Sequence, residues 1–149
     1  MLSDLYSEKI IDAAAAIPPS RRLSAPDASA TRTSRVCGSS VTIDLKMHDG
    51  KVADFGMEAK ACALGQASAS ILARNITGVS GDELRLLRER MRAMLKQGGP
   101  PPHEDPRLGE RWRDLEILSA IRDYPQRHAS TLLAFEATVA ALDETNISK

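Results

Sequence analysis

The chain has 149 residues, and its 20 lysines and arginines balance 20 aspartates and glutamates, so its formal charge is zero. That length buries the core of one domain without a metal or disulfide, and a neutral chain with no basic stripe argues against a nucleic-acid partner. No stretch approaches the roughly 20 apolar residues of a membrane span, and Met1-Leu2-Ser3-Asp4 lacks a secretion signal, so the expectation is a cytoplasmic protein with no membrane partner.

In chain order, Ser3 to about Ala16 reads as a helix with Leu2, Tyr6, Ile10 and Ala13 on one stripe, stopped by Ile17-Pro18-Pro19. Ser20 to Asp27 is a loop, and Ser29 to Val36 reads as a polar edge strand. Ser40 to His48 alternates apolar with polar residues, Asp49-Gly50 is a hairpin turn signal, and Ala53, Phe55, Met57 and Ala59 alternate on the return. The sheet therefore has three antiparallel strands.

After Cys62, the small residues Ala63, Gly65, Ala67, Ser68, Ala69 and Ser70 predict a helix to about Thr77-Gly78 that approaches the sheet closely. Ser80-Gly81-Asp82-Glu83 is a capping box. It opens a helix to about Gln97, with Leu84, Leu87, Met91, Met94 and Leu95 inward and arginines on a solvated face. Gly98-Gly99 and the prolines beyond open a mobile connection to Gly109, followed by a helix marked by Trp112, Leu115, Leu118 and Ile121. The last helix begins near Arg127 or His128, with Leu132, Phe135, Val139 and Leu142 inward. The sum is an α+β domain over residues 1–149, a three-stranded antiparallel sheet packed against about five helices.

Two cysteines in a reducing compartment serve more often as thiols, metal ligands or redox centres than as a structural disulfide. Cys37 enters the hairpin at its open end and Cys62 leaves at the same end, so the two belong together in space. Cys62 falls in the first turn of its helix, where free backbone N–H groups and the helix dipole favour thiolate over thiol. The plain alternative is a pair of buried structural cysteines. Ser39 and Ser130 offer hydroxyls nearby, although serines at turns usually bond to backbone. Lys60 and Arg127 flank the same place, whereas His48 and His103 read as surface residues.

These features resemble the U-type iron–sulfur cluster assembly scaffolds, comprising IscU, SufU and the N-terminal domain of NifU. The likeness covers roughly residues 3 to 143: a first helix and Pro break, Cys37-Gly38 before a hairpin, Cys62 opening an Ala/Ser helix, and His128-Ala129-Ser130 on the final helix. In that family three cysteines and an aspartate converge at a tip that binds zinc or holds a nascent cluster. The resemblance assigns Cys37 and Cys62 to the first two cysteines, puts Ser39 where the aspartate usually stands, and puts Ala129 at the third cysteine. It leaves Cys37, Cys62 and His128 as ligands for zinc or iron, with a fourth position open to water or a partner. Residues 98–124 look like the inserted segment of the SufU branch.

The resemblance implies a cluster-assembly protein working with a cysteine desulfurase, either as a scaffold holding metal or a transient iron–sulfur cluster, or as a sulfur acceptor at Cys37 or Cys62. The alternative is a non-metal adaptor that keeps the docking surface. No acid–base pair, nucleophile triad or phosphate loop is evident, so an enzyme is not expected.

Overall fold

The computed structural model describes residues 7–35 and 38–147, with side chains described as far as Thr145. The first helix, α1, spans Glu8–Ala15. The Ser7 hydroxyl accepts a hydrogen bond from the Ile10 N–H and acts as its cap, while residues 3–6 of the expected helix lie outside the described residues. Ile10 and Ala13 are buried as expected, while Leu2 and Tyr6 lie outside the described residues.

The sheet runs β1 (Ala28–Thr33), β2 (Ser40–His48), β3 (Lys51–Lys60), in that order and antiparallel throughout. The turn at Asp49-Gly50 has positive φ at both residues (53° and 76°), the geometry of a tight hairpin, and His48 pairs with Lys51 across it. One expectation fails here. Lys46 pairs with Asp54 but Met47 pairs with Val52, so Ala53 is an extra residue that reverses the inward phase of β3. Val52 is buried and Ala53 exposed, the opposite of the alternation read along the strand alone.

Val41, Ile43 and Leu45 on β2 are wholly buried, beneath the long helix His128–Ile147. With α2 (Ala63–Asn75) and α3 (Gly81–Lys96) named in chain order, that helix is α4, and both α2 and α3 pack against it. Leu84, Leu87, Met91, Met94 and Leu95 form the buried face of α3, as their spacing predicts. The Ser80 hydroxyl caps the helix by accepting from Glu83 N–H at 3.1 Å. The arginines of α3 are more than a solvated face. Arg85 reaches Asp143, Arg92 reaches Glu136 on α4, and Arg90 reaches Asp105 in the following connection.

That connection is pinned. It contains a 3-10 turn, Pro102–Glu104, and Asp105 accepts hydrogen bonds from Arg107 and from Arg90. Those donors, Arg107 foremost, hold the Asp105 carboxyl far below the usual carboxylate range despite its partial desolvation. The helix around Trp112 is also 3-10, over Glu110–Asp123, rather than α. Its four core residues, Trp112, Leu115, Leu118 and Ile121, recur every three positions, and a helix of three residues per turn is the one that stacks them on a single line. All four are fully buried, and the Trp112 indole N–H donates to the Glu83 carboxylate at 2.9 Å.

The outward face of β2 carries a buried acid. Asp44 has a fully inaccessible side chain that accepts from Arg22 Nε at 2.7 Å, Arg22 Nη2 at 3.1 Å, Leu23 N–H at 2.9 Å and the Ser29 hydroxyl. Burial pushes its carboxyl up, but the bonds from Arg22, Ser29 and Leu23 together outweigh that, and the net shift is downward. The segment carrying Arg22 and Leu23 crosses the sheet at Gly56, the register partner of Asp44. A Cβ there would stand 2.9 Å from Arg21 O and 3.1 Å from Leu23 N.

Candidate functional site

The open end of the β2–β3 hairpin fixes one side of the site. Ser40 faces Lys60 across the register, and only Ala61 and Cys62 separate that pair from α2. Cys62 is the N-cap of α2, one step before the first turn anticipated for it, and its Sγ accepts no helix N–H. The thiol is free and half-buried, and it lies 3.9 Å from the Ser130 hydroxyl in the first turn of α4.

Two helix starts therefore meet at this point, and Gly65 is what lets them. A Cβ at Gly65 would come within 3.2 Å of Ser130 O and 2.8 Å of Ala61 Cβ. The small residues of α2 were read as permitting a close approach to the sheet. The tight contact they make at Gly65 is instead with another helix.

The first turn of α4 supplies the other candidate residues. Ser130 and Thr131 donate their hydroxyls to Arg127 O at 3.2 and 2.9 Å. His128 is buried, and its Nε2 lies 3.0 Å from Ile121 O and 3.2 Å from Arg122 O. Carbonyl oxygens only accept, so Nε2 carries a proton and closes the end of the 3-10 run, and a metal would have to use Nδ1. Ala129 is exposed and presents a methyl group at the same turn.

The flanking residues divide. Lys60 is exposed at the end of β3. Arg127 is half-buried, and its Nε is shut off from solvent without a hydrogen-bond partner among the described residues. Ser39 is buried, and its carbonyl accepts from Ser34 N–H at 2.8 Å, closing the β1–β2 connection. Cys37 lies outside the described residues. The site thus brings together Cys62, Ser130 and the start of α4, with Ser39 and Lys60 on the adjoining strand ends.

As a donor set, the described residues offer one thiol and one imidazole nitrogen. Among them, neither Cys62 nor His128 belongs to a group of three His, Cys, Asp or Glu donors within 4.8 Å of one another. A tightly held structural ion needs four ligands, and the described residues of this tip supply fewer. A cleft of about 610 Å³, lined by His48, Asp49, Ser80, Asp82 and Arg85 among others, lies at the opposite, turn end of the hairpin. His48 is exposed there, as its place on the polar phase of β2 predicts.

One further group of side chains is not foreshadowed by local pattern. One donor atom each from His103, Glu104 and Glu116 lie within 4.8 Å of one another, although the sequence places His103 as a surface residue on a mobile connection and Glu116 is remote from it in the chain. The signal available was the three-residue period, which fixes where Glu116 stands relative to buried Leu115.

The chain belongs to the NifU-like N-terminal domain family, whose model matches residues 5–131. It is an iron–sulfur cluster assembly scaffold domain by that membership. A Thermotoga maritima protein named iron–sulfur cluster assembly scaffold protein IscU is 30% identical over 106 residues, 71% of this chain and 70% of that one. The crystal structure of the N-terminal part of a nitrogen-fixing NifU-like protein from Brucella abortus is 44% identical and covers 99% of both chains, with a TM-score of 0.92. The putative SUF-system scaffold of Fervidobacterium islandicum AW-1 shares the fold at 22% identity and a TM-score of 0.81, covering 94% of this chain and 98% of that one. No helix among the described residues is long and apolar enough to cross a membrane.

Proposed function

We propose that this chain receives sulfur or metal for cluster assembly at the Cys62 tip, in concert with a cysteine desulfurase, holding zinc or iron weakly through Cys37, Cys62 and the Nδ1 of His128. One observation carries the reading: a free, half-buried thiol stands where the hairpin end, the start of α2 and the start of α4 meet. Partial exposure keeps the sulfur open to a partner's active site, and the flanking Ser130 hydroxyl oxygen accepts a long, weak hydrogen bond from the thiol without acting as a competing strong ligand. A ligand set this small suits transfer better than storage.

The test is a cobalt(II) titration that follows thiolate-to-metal charge transfer in the near ultraviolet, with intact-mass analysis after incubation with a desulfurase and cysteine. The expected result is a charge-transfer band or a mass gain of one sulfur atom, lost in Cys62→Ala and reduced in Cys37→Ala. Absence of both signals in the unmodified protein overturns the proposal.

A second reading, a non-metal adaptor of the same machinery, is favoured by the exposed methyl of Ala129 and by the engagement of His128 Nε2 with backbone carbonyls. It requires that a Cys37→Ala/Cys62→Ala variant still bind the desulfurase in a pull-down and support cluster delivery in cells.

A further inference from the structure

We propose that His103, Glu104 and Glu116 form a second metal site, remote in sequence from the cysteines, which takes a divalent ion of the zinc type through one imidazole nitrogen and two carboxylates. One nitrogen of His103 and one oxygen from each glutamate lie within 4.8 Å of one another. Around an ion with bonds of about 2.0–2.2 Å, such donors stand about 3–3.5 Å apart, so closure asks for a movement of about 1 Å, within side-chain rotation of two exposed glutamates.

Three observations separate this group from an ordinary surface cluster. The Nδ1 of His103 is shut off from solvent and has no hydrogen-bond partner among the described residues. Neither carboxylate accepts a hydrogen bond or stands in an ion pair among the described residues, although their neighbours do: Asp105 is taken by Arg90 and Arg107, and Glu110 by Arg113. The hydrogen bonds of Arg90, Arg107 and Arg113 thus go to Asp105 and Glu110, and Glu116 meets Arg113 only as a more distant charge.

The frame around the group is also fixed. His103 and Glu104 sit on the Pro102–Glu104 turn, which is anchored by buried Pro102 and followed at once by the Asp105 network. Glu116 sits on the 3-10 run between buried Leu115 and Leu118. An ion here would tie these two elements of the inserted segment together. Two carboxylates balance a divalent charge, and imidazole with carboxylates, without thiolate, suits zinc-type ions rather than a sulfur-bridged cluster.

Equilibrium dialysis of the full chain against zinc decides this, using the Cys37→Ala/Cys62→Ala variant so that the tip contributes no thiolate. That variant is expected to bind one equivalent, and adding Glu104→Gln and Glu116→Gln weakens binding by at least about 10-fold. In the chain with glutamates intact, zinc also shifts the NMR resonances of the His103 ring while leaving those of His48 in place. Absence of stoichiometric zinc in the double cysteine variant, binding indifferent to the glutamate changes, or an unmoved His103 ring overturns the site. Its failure leaves the Cys62 reading untouched, because the cobalt charge-transfer band reports thiolate alone.

Discussion

Asp44 and Cys62 occupy opposite kinds of polar neighbourhood. Every lone-pair direction around the Asp44 carboxylate is engaged, by a guanidinium, a backbone N–H and a hydroxyl, and the group is closed to water. Around Cys62 the engagement is looser: the thiol makes one long contact, and at the turn that opens α4 Arg127 Nε has no partner among the described residues. Buried polar groups that are fully satisfied specify a fold, whereas groups left under-engaged at a surface junction are free to meet a ligand. The first region should therefore govern stability and the second chemistry.

The largest expected break in that contrast comes from Asp44→Ala. It leaves the Leu23 N–H and the Ser29 hydroxyl without their acceptor and frees the crossing segment, at a cost of about 2–3 kcal/mol in denaturant unfolding. The deficit should also depend on pH. Because the folded-state pKa of Asp44 is depressed, its contribution is present above the unfolded carboxylate value of about 4 and is lost as pH falls through the lower folded value. Wild type and variant should thus converge in acid, and a deficit that is constant with pH would show that the carboxylate charge is irrelevant.

Gly56→Val sharpens the same contrast from the backbone side. The new side chain meets Arg21 O and Leu23 N at sub-contact distance, so the segment must lift, with a loss of about 1–3 kcal/mol. Sulfur acceptance at Cys62 should persist in the folded fraction, as desulfurase-dependent mass gain would record. The smallest effect on stability belongs to Cys62→Ser, within about 0.5–1 kcal/mol of wild type, together with loss of the thiolate charge-transfer band. A large drop in melting temperature from that change would make Cys62 a packing residue.

Much of the architecture is legible in local pattern. The bounds of β2, the turn at Asp49-Gly50, the buried face of α3 and the start of α4 all follow from periodicity and turn chemistry over a few residues. What escapes local reading is set across space. The extra residue Ala53 is defined only by its pairing with β2, and the Asp44 network joins residues from three separate stretches of chain. The 3-10 run is an intermediate case. The spacing of Trp112, Leu115, Leu118 and Ile121 was visible, but an α-helix is so much more common that a repeat of three was read as one of 3.6.

The site divides the same way. Cys62 is legible because a hairpin end and a helix start can both be read from its neighbours, and the likeness to the scaffold family adds His128. The engagement of His128 Nε2 could not be foreseen, since its acceptors are the last carbonyls of a 3-10 run that was itself misread. Glu116 stood too far along the chain to be grouped with His103.

Gly65 gives the tip its tolerance. With only a hydrogen on that α-carbon, the reach between the cysteine sulfur and the serine hydroxyl is gauged by how closely two main chains can lie rather than by any side chain between them. One added methyl would act as a shim, prising the helix starts apart by a few tenths of an ångström. The thiol would be re-aimed without any donor being altered, so the opening of the tip is tuned by a residue that carries no functional group of its own.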